Sequence, residues 1–318
     1  MAPDDNVELA RLQDHETATV RAVIAEARAP ATRRAYAADV RVFVAWCDDR
    51  RVDPLPATTA TVLGYLVSML DRGRRLSTIN RAIVSIGLAH SLHGHDDPRK
   101  NVEVREFLKG LRRRMSDSPK TEASPLLLQG LRAAVNSCGV DTRIGLRNRA
   151  LLVVGWFGAL RRSEIAALDI GDLRIDTEGV VVRIRSSKTD QEGQGATIGL
   201  PARRDELCPV KVLRAWLALR DNPTTSAVFV ALDHRCAGRR LSSAAVGDVV
   251  RSTAVSAELP EAQRFSGHSL RAGFATQAAR NGKPAHAIRR QTRHRSIQQL
   301  ERYIREGEVF INNAAAGL

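Results

Sequence analysis

A tyrosine near the C-terminus, Tyr303, stands behind a series of polar residues that together could carry out phosphoryl transfer. It is one of three tyrosines in 318 residues, the others being Tyr36 and Tyr65. Upstream of it lie Arg293-His294, then Gly267-His268-Ser269-Leu270-Arg271, then Ser187-Lys188-Thr189, then Gly158-Ala159-Leu160-Arg161-Arg162-Ser163-Glu164. A phenol of ordinary pKa near ~10 is a poor nucleophile until positive charge stabilises its phenolate. Arginine, histidine and lysine in this set supply such charge. A guanidinium also grips two oxygens of one phosphate with its planar fork. The chemistry within reach is attack of a phenol oxygen on a phosphodiester.

Each local pattern is weak by itself. His268 and Arg271 are three apart in a segment that reads as helix after Gly267, so both fall on one face. Arg161 follows an apolar helix directly at its end, where a side chain is held rigidly enough to stabilise a transition state. Ser163 is placed to cap the next helix, with Glu164 in its first turn, from which it can orient Arg161 or a neighbouring base. Spacing does not choose between Arg161 and Arg162. Lys188 lies just past a β-branched run, at the mouth of a Gly-rich hairpin that can carry it down onto a ligand. His294 precedes Tyr303 by nine residues, with Ile297 and Leu300 between them as core anchors. An H-x-x-R pair, a hairpin lysine or a late tyrosine is ordinary alone; their combination and order are not.

The bulk properties point the same way. A net charge of +14 implies a polyanionic partner. Only six of the 49 basic residues are lysine, a bias that GC-rich codon usage explains; the positive sum itself is best explained by phosphate neutralisation. Basic residues cluster at Arg33-Arg34, Arg50-Arg51, Arg112 to Arg114, Arg239-Arg240 and Arg289-Arg290. No apolar run is long enough for a membrane span and no apolar signal core opens the chain, so a cytoplasmic, nucleoid-associated protein is expected. Cys47, Cys138, Cys208 and Cys236 show no C-x-x-C spacing, which argues against a zinc site or a disulfide framework. No G-x-x-x-x-G-K-[ST] is present, and no cofactor is expected.

The elements that must position these residues fall into two domains. Residues 1–16 read as a tail. Residues 17–115 are helical throughout, with helices expected near 32–46 (Thr32 as N-cap), 57–71, 77–88 and 102–115. Residues 116–125, polar and carrying two prolines, read as a linker. Residues 126–318 are mixed: an apolar helix over 147–159, a strand over 179–186, a returning strand over 196–200, then helices from about 209 to the end. The expected fold is mainly α with a small antiparallel sheet in the second domain.

Taken together these residues resemble the tyrosine recombinases, the phage-integrase family, over about residues 17–315. The family's first box, roughly T-G-L-R-x-S-E-L, is matched by Gly158-Ala159-Leu160-Arg161-Arg162-Ser163-Glu164-Ile165, which selects Arg161 over Arg162. The hairpin lysine falls on Lys188, the H-x-L-R box on His268 to Arg271, the G-H box on Arg293-His294 and the nucleophile on Tyr303. Thr32, Tyr36, Asp39, Phe43 and Trp46 follow the start of the family's core-binding domain. Phe265 to Ser269 and Tyr303-Ile304-Arg305 look closest to the Cre-type members, which often carry tryptophan where this chain has His294. Arg293 departs from the family's usual glycine and is a candidate phosphate contact.

The resemblance implies that Tyr303 attacks a DNA phosphorus to leave a 3′-phosphotyrosyl bond and that Lys188 protonates the departing 5′ oxygen. It implies that Arg161 and Arg271 neutralise the transition state while His268 and His294 bind non-bridging oxygens, with His268 also a candidate to take the tyrosine proton. It further implies paired sites on double-stranded DNA and a homotetramer on DNA that is a monomer or dimer when free; the two basic halves and the polar tether point to a clamp of the two domains around the duplex. In the tetramer the apolar tail around Val309-Phe310-Ile311 docks on a neighbour. DNA contacts are expected from Arg33, Arg34, Ser77, Asn80 and Arg81, the last three on the exposed side of the third helix. The rival readings are a type IB topoisomerase, a DNA-binding protein that does not cut, and a hydrolytic nuclease, which ordinarily shows acidic metal ligands.

Overall fold

The computed structural model describes residue 28 and residues 30–115, 123–185, 195–220, 225–233, 237–294 and 296–308. The chain divides into two compact units, Met1–Lys120 and Thr121–Leu318. The architecture is mainly helical with one small antiparallel sheet. No helix among the described residues is long and apolar enough to cross a membrane.

The described part of the first unit contains α1 (Pro30–Arg50), α2 (Thr59–Asp71), α3 (Leu76–Leu92) and α4 (Val102–Arg114). Thr32 lies inside α1 rather than capping it, because the helix opens at Pro30, whose fixed φ suits a first helical position. Thr58 caps α2, its hydroxyl accepting from the Thr61 N–H at 3.1 Å. Phe43 and Trp46 of α1 meet Tyr65 of α2 edge-on, with ring centroids 5.0 and 5.4 Å apart. Ile79, Ile83 and Ile86 of α3 and Val104, Leu108 and Leu111 of α4 complete this core. Arg33, Arg34 and Ser77 are exposed and Asn80 is half-buried. Arg81 gives its Nε and Nη2 to Asp39 at 2.8 and 2.9 Å, so its fork ties α3 to α1.

In the second unit, α5 (Leu128–Asn136) and α6 (Arg143–Phe157) precede the short α7 (Arg162–Ala167). Then come β1 (Leu173–Ile175), β2 (Gly179–Ile184) and β3 (Ala196–Pro201), in sheet order β1-β2-β3, both pairs antiparallel. The three-residue β1 escaped the sequence reading because so short a run carries no periodicity. The helices α8 (Pro209–Leu219), α9 (Ser243–Ser256), α10 (Gly267–Arg280), α11 (Ala285–Thr292) and α12 (Ile297–Glu308) follow. Ala150 to Val154 of α6 are all buried, as expected of a helix apolar on every side. Trp156 donates its indole N–H to the Leu126 carbonyl at 2.7 Å. α10 approaches the same strap closely because position 273 is glycine: a Cβ there would lie 1.8 Å from the Leu126 carbonyl oxygen.

The end of β2 is pinned electrostatically. Arg185 donates Nε to Asp172 at 2.6 Å and reaches Asp169 with Nη2 at 2.7 Å, and Arg240 also bonds Asp169. These hydrogen bonds, Arg240's first, hold the Asp169 carboxyl down at a pKa of about 2. Lys188, most of the expected linker and the segment Val309-Phe310-Ile311 lie outside the described residues.

Candidate active site

The site begins where α6 stops. Gly158 ends the helix and Ala159 takes a left-handed φ of 45°, which turns the chain so that Leu160 enters the core and Arg161 emerges. Arg161 becomes the N-cap of α7, and Glu164 is its third residue. The Glu164 carboxylate accepts from the Arg161 backbone N–H at 2.8 Å and from Arg161 Nη1 at 2.6 Å. That is the reach-back half of a capping box, so Ser163 sits inside the helix instead of capping it. The Arg161 side chain is 17% exposed, whereas Arg162 points to solvent. The two arginines, equivalent by spacing, are separated by the turn.

α10 supplies the next pair. Ser266 caps it, and Ser269 returns a hydroxyl to the Ser266 N–H at 3.0 Å. Arg271 is buried to 1% exposure and donates Nη1 to the Ala159 carbonyl at 2.8 Å. Its Nη2 is buried with no hydrogen-bond partner among the described residues. Burial, then the like charges of Arg161 and Arg293, lower its pKa to about 9, which still leaves it a cation at neutral pH. His268, one turn earlier, is exposed.

α11 and α12 close the site. α12 packs on α10 through Leu300 and Tyr303, which meet Ala272, Ala275 and Ala279, with Ile288 of α11 beside them. The Tyr303 hydroxyl lies 2.9 Å from His268 Nε2. Its ring stacks on that of His294, centroids 5.9 Å apart, and the Arg302 guanidinium carbon lies 5.1 Å from its centroid. His294 Nδ1 is bonded to Thr292 Oγ1 at 2.8 Å. Burial, followed by the charges of Arg271 and Arg161, pushes the His294 pKa down to about 3, so its imidazole is neutral at neutral pH. Arg293 turns inward, its side chain 11% exposed, and pairs with Glu164 at 2.7 Å. Arg293 is therefore committed to Glu164 and not, as its position in the sequence suggests, to a phosphate.

The structure thus brings Arg161, Glu164, His268, Arg271, His294 and Tyr303 into one cluster within the second unit. The candidate DNA contacts Arg33, Arg34, Ser77, Asn80 and Arg81 belong to the first unit. Sequence reasoning missed Thr292, fully buried behind His294, and the Ala159 carbonyl that anchors Arg271. No motif marks either. It also missed Gln291, whose amide bonds the carbonyls of Phe157 and Gly199 and fixes α11 to the end of α6.

One consequence is measurable in stability. An ordinary histidine takes up a proton near 6.5, but His294 does so only near 3. Between those values the unfolded chain binds the extra proton, so the stability linked to neutral His294 is present above pH 6.5 and lost as pH falls toward 3. The melting temperature should therefore fall on acidification, and it should fall less steeply in His294→Gln. Parallel slopes for the two proteins would contradict the assignment.

The chain is similar to known proteins along most of its length. Residues 129–308 match the model of the phage integrase family. An integrase/recombinase XerD homologue of Selenomonas ruminantium is 32% identical over 314 residues, covering 96% of this chain and 91% of that protein. The tyrosine recombinase XerC of Pseudomonas fluorescens is 27% identical over 282 residues, covering 86% of this chain and 85% of the other. The Tn1549 transposon integrase, solved with transposon right end DNA, superposes with a TM-score of 0.62 at 15% identity, over 87% of this chain and 89% of that one. A lambda integrase dimer bound to a COC′ core site gives 0.58 at 15% identity, over 90% and 92%. With more than half its length matched by the family model and a relative at 32% identity along nearly all of it, this chain belongs to the phage integrase family, the tyrosine recombinases.

Proposed function

We propose that this site-specific DNA recombinase cuts and rejoins duplex DNA with Tyr303 as nucleophile, Arg161 and Arg271 as transition-state stabilisers, and His268 as proton acceptor. The observation that carries the reading is the 2.9 Å contact between His268 Nε2 and the Tyr303 hydroxyl, beside a buried Arg271 whose Nη2 has no partner among the described residues. A buried guanidinium N–H left unpaired is costly, and a phosphate oxygen is the acceptor it suits.

The steps follow. The Tyr303 oxygen bonds to phosphorus while its proton passes to His268, and the bond from phosphorus to the 5′ oxygen breaks. Lys188 supplies the proton that the 5′ oxygen needs. Arg161, oriented by Glu164, and Arg271, hung from the Ala159 carbonyl, neutralise the charge that grows on the non-bridging oxygens. His294, neutral and held by Thr292, hydrogen-bonds one of those oxygens. The 3′-phosphotyrosyl link conserves the bond energy, so rejoining needs no nucleotide cofactor. A topoisomerase would share these steps, but the relatives along the whole chain are named recombinases.

For the rest of the reaction, Arg33, Arg34, Ser77, Asn80 and Arg81 are the proposed DNA contacts of the helical unit, with Arg81 limited by its pairing to Asp39. Four scissile phosphates require four tyrosines, hence a homotetramer on paired sites. Sedimentation with two-site DNA that never gave a four-subunit complex would overturn this. A cytoplasmic, nucleoid-associated setting fits such a substrate.

The test is covalent capture. The full chain is incubated with a randomised duplex pool and denatured in detergent, and the strands that remain on the protein are sequenced. A defined duplex should emerge, joined through its 3′ phosphate; recovery of no strands would sink the reading. That duplex, nicked beside the scissile phosphate, then tests Lys188. Lys188→Ala should slow cleavage strongly, and a bridging 5′-phosphorothiolate, whose thiolate leaves without a proton, should restore most of the rate. Failure of that rescue would remove Lys188 from the general-acid role.

A further inference from the structure

We infer that Arg293 is a positioning residue for DNA cleavage: by binding one oxygen of Glu164 and the carbonyls of the Gly158–Ala159 turn, it fixes both Arg161 and Arg271 toward the scissile phosphate. The inference rests on the proposed reading of the site.

The backbone is the first sign. Arg293 ends α11 with φ 57° and ψ 42°, a left-handed conformation that glycine adopts freely and a long side chain does not. A glycine would serve that turn better, so whatever favours arginine here must come from its side chain.

The guanidinium is the second sign. Nη1 donates to the Gln291 carbonyl at 2.7 Å and to the Gly158 carbonyl at 3.2 Å. Nη2 donates to the Ala159 carbonyl at 3.3 Å and to Glu164 Oε2 at 2.7 Å. All four Nη hydrogens are thus placed on groups of this chain. Only Nε remains, buried and without a partner among the described residues. This is not a side chain presented to a DNA backbone.

Its partners are the third sign. Glu164 is 2% exposed at its side chain and is shared, Oε1 taking Arg161 Nη1 while Oε2 takes the Arg161 N–H and Arg293. The Ala159 carbonyl accepts from both Arg271 and Arg293. The two anchors from which the phosphate-binding arginines hang therefore both touch Arg293. With Arg293 gone, Glu164 Oε2 would be open to the second arm of Arg161, turning that fork inward, and the Ala159 turn would lose a support.

The experiment uses the full chain and the nicked duplex recovered by covalent capture, and measures single-turnover cleavage and DNA dissociation separately. Arg293→Gly keeps the left-handed turn. It should slow cleavage by about tenfold or more, the size of a lost coupling between contacting charges, while affinity changes by no more than about threefold. Glu164→Gln should act similarly. The double variant should be little worse than either single one, since both changes break the same contact. Arg293→Lys, which keeps the charge but not the four-armed geometry, should recover only part of the rate. It also carries the comparison if the glycine variant fails to fold. Wild-type cleavage in Arg293→Gly would overturn the inference. So would a loss confined to affinity, which would make Arg293 a DNA contact, or a double variant in which the two effects multiply. The reading of the site fails separately: Tyr303→Phe would then still form adduct.

Discussion

Tyr303→Phe is expected to bind the captured duplex as the parent chain does and to leave no strand attached to protein. The substitution removes one oxygen and keeps the ring that packs against Ala272, Ala275 and Leu300 and stacks on His294, so α12 should stay docked. The lost hydrogen bond to His268 costs about 1 kcal/mol of stability, too little to unfold a domain. The reaction, by contrast, loses the atom that bonds to phosphorus, and no neighbour can replace it in the same geometry. The measurement is detergent-stable protein–DNA adduct on the nicked duplex, with affinity taken in parallel. Adduct formed by the Phe variant would move the nucleophile elsewhere.

The second large effect separates two adjacent arginines. Arg271→Ala and Arg161→Ala should each lower the single-turnover cleavage rate by about 10²–10³, the loss typical of one preorganised transition-state donor, with little change in affinity. Arg162→Ala should do far less. The reason is geometric: Arg161 is held by Glu164 at the mouth of the turn and Arg271 is buried against the Ala159 carbonyl, whereas Arg162 faces solvent on α7. Arg271→Ala also removes a buried cation surrounded by like charge, so its effect on melting temperature should be smaller than its effect on rate. A chain in which Arg162→Ala proved the slower variant would put the reactive arginine one residue later.

Much of this was legible in the residues themselves. Tyr303, the His268 to Arg271 pair and the run Gly158 to Glu164 announce phosphoryl transfer because a nucleophile and its phosphate-binding cations are recognisable by side-chain type and order. Helices were legible where apolar residues recur at helical spacing, as in α3, or form a long apolar run, as in α6. Their ends were less so: Thr32 and Ser163 are good caps by type, yet Pro30 opens α1 and Arg161 caps α7. Local propensity is a small energy that packing readily overrides. β1 was illegible because three residues cannot show a pattern.

What the sequence determined, then, is which atoms are available: a phenol, two imidazoles and a set of guanidiniums in the order of a tyrosine recombinase. Tertiary structure decided how they are aimed. Spacing could not distinguish Arg161 from Arg162; the turn at left-handed Ala159 and the Glu164 carboxylate did, holding Arg161 inward while Arg162 faces solvent. Nor could it say whether Arg293 meets DNA or protein. That depended on Glu164, 129 residues away in the chain and 2.7 Å away in space. The same holds for Arg81: its place on a helix face says nothing of Asp39, 42 residues away in the chain, which binds its guanidinium. A side chain's chemistry is local, but its partners come from wherever the chain folds back, and the partners settle which charge is left for a phosphate.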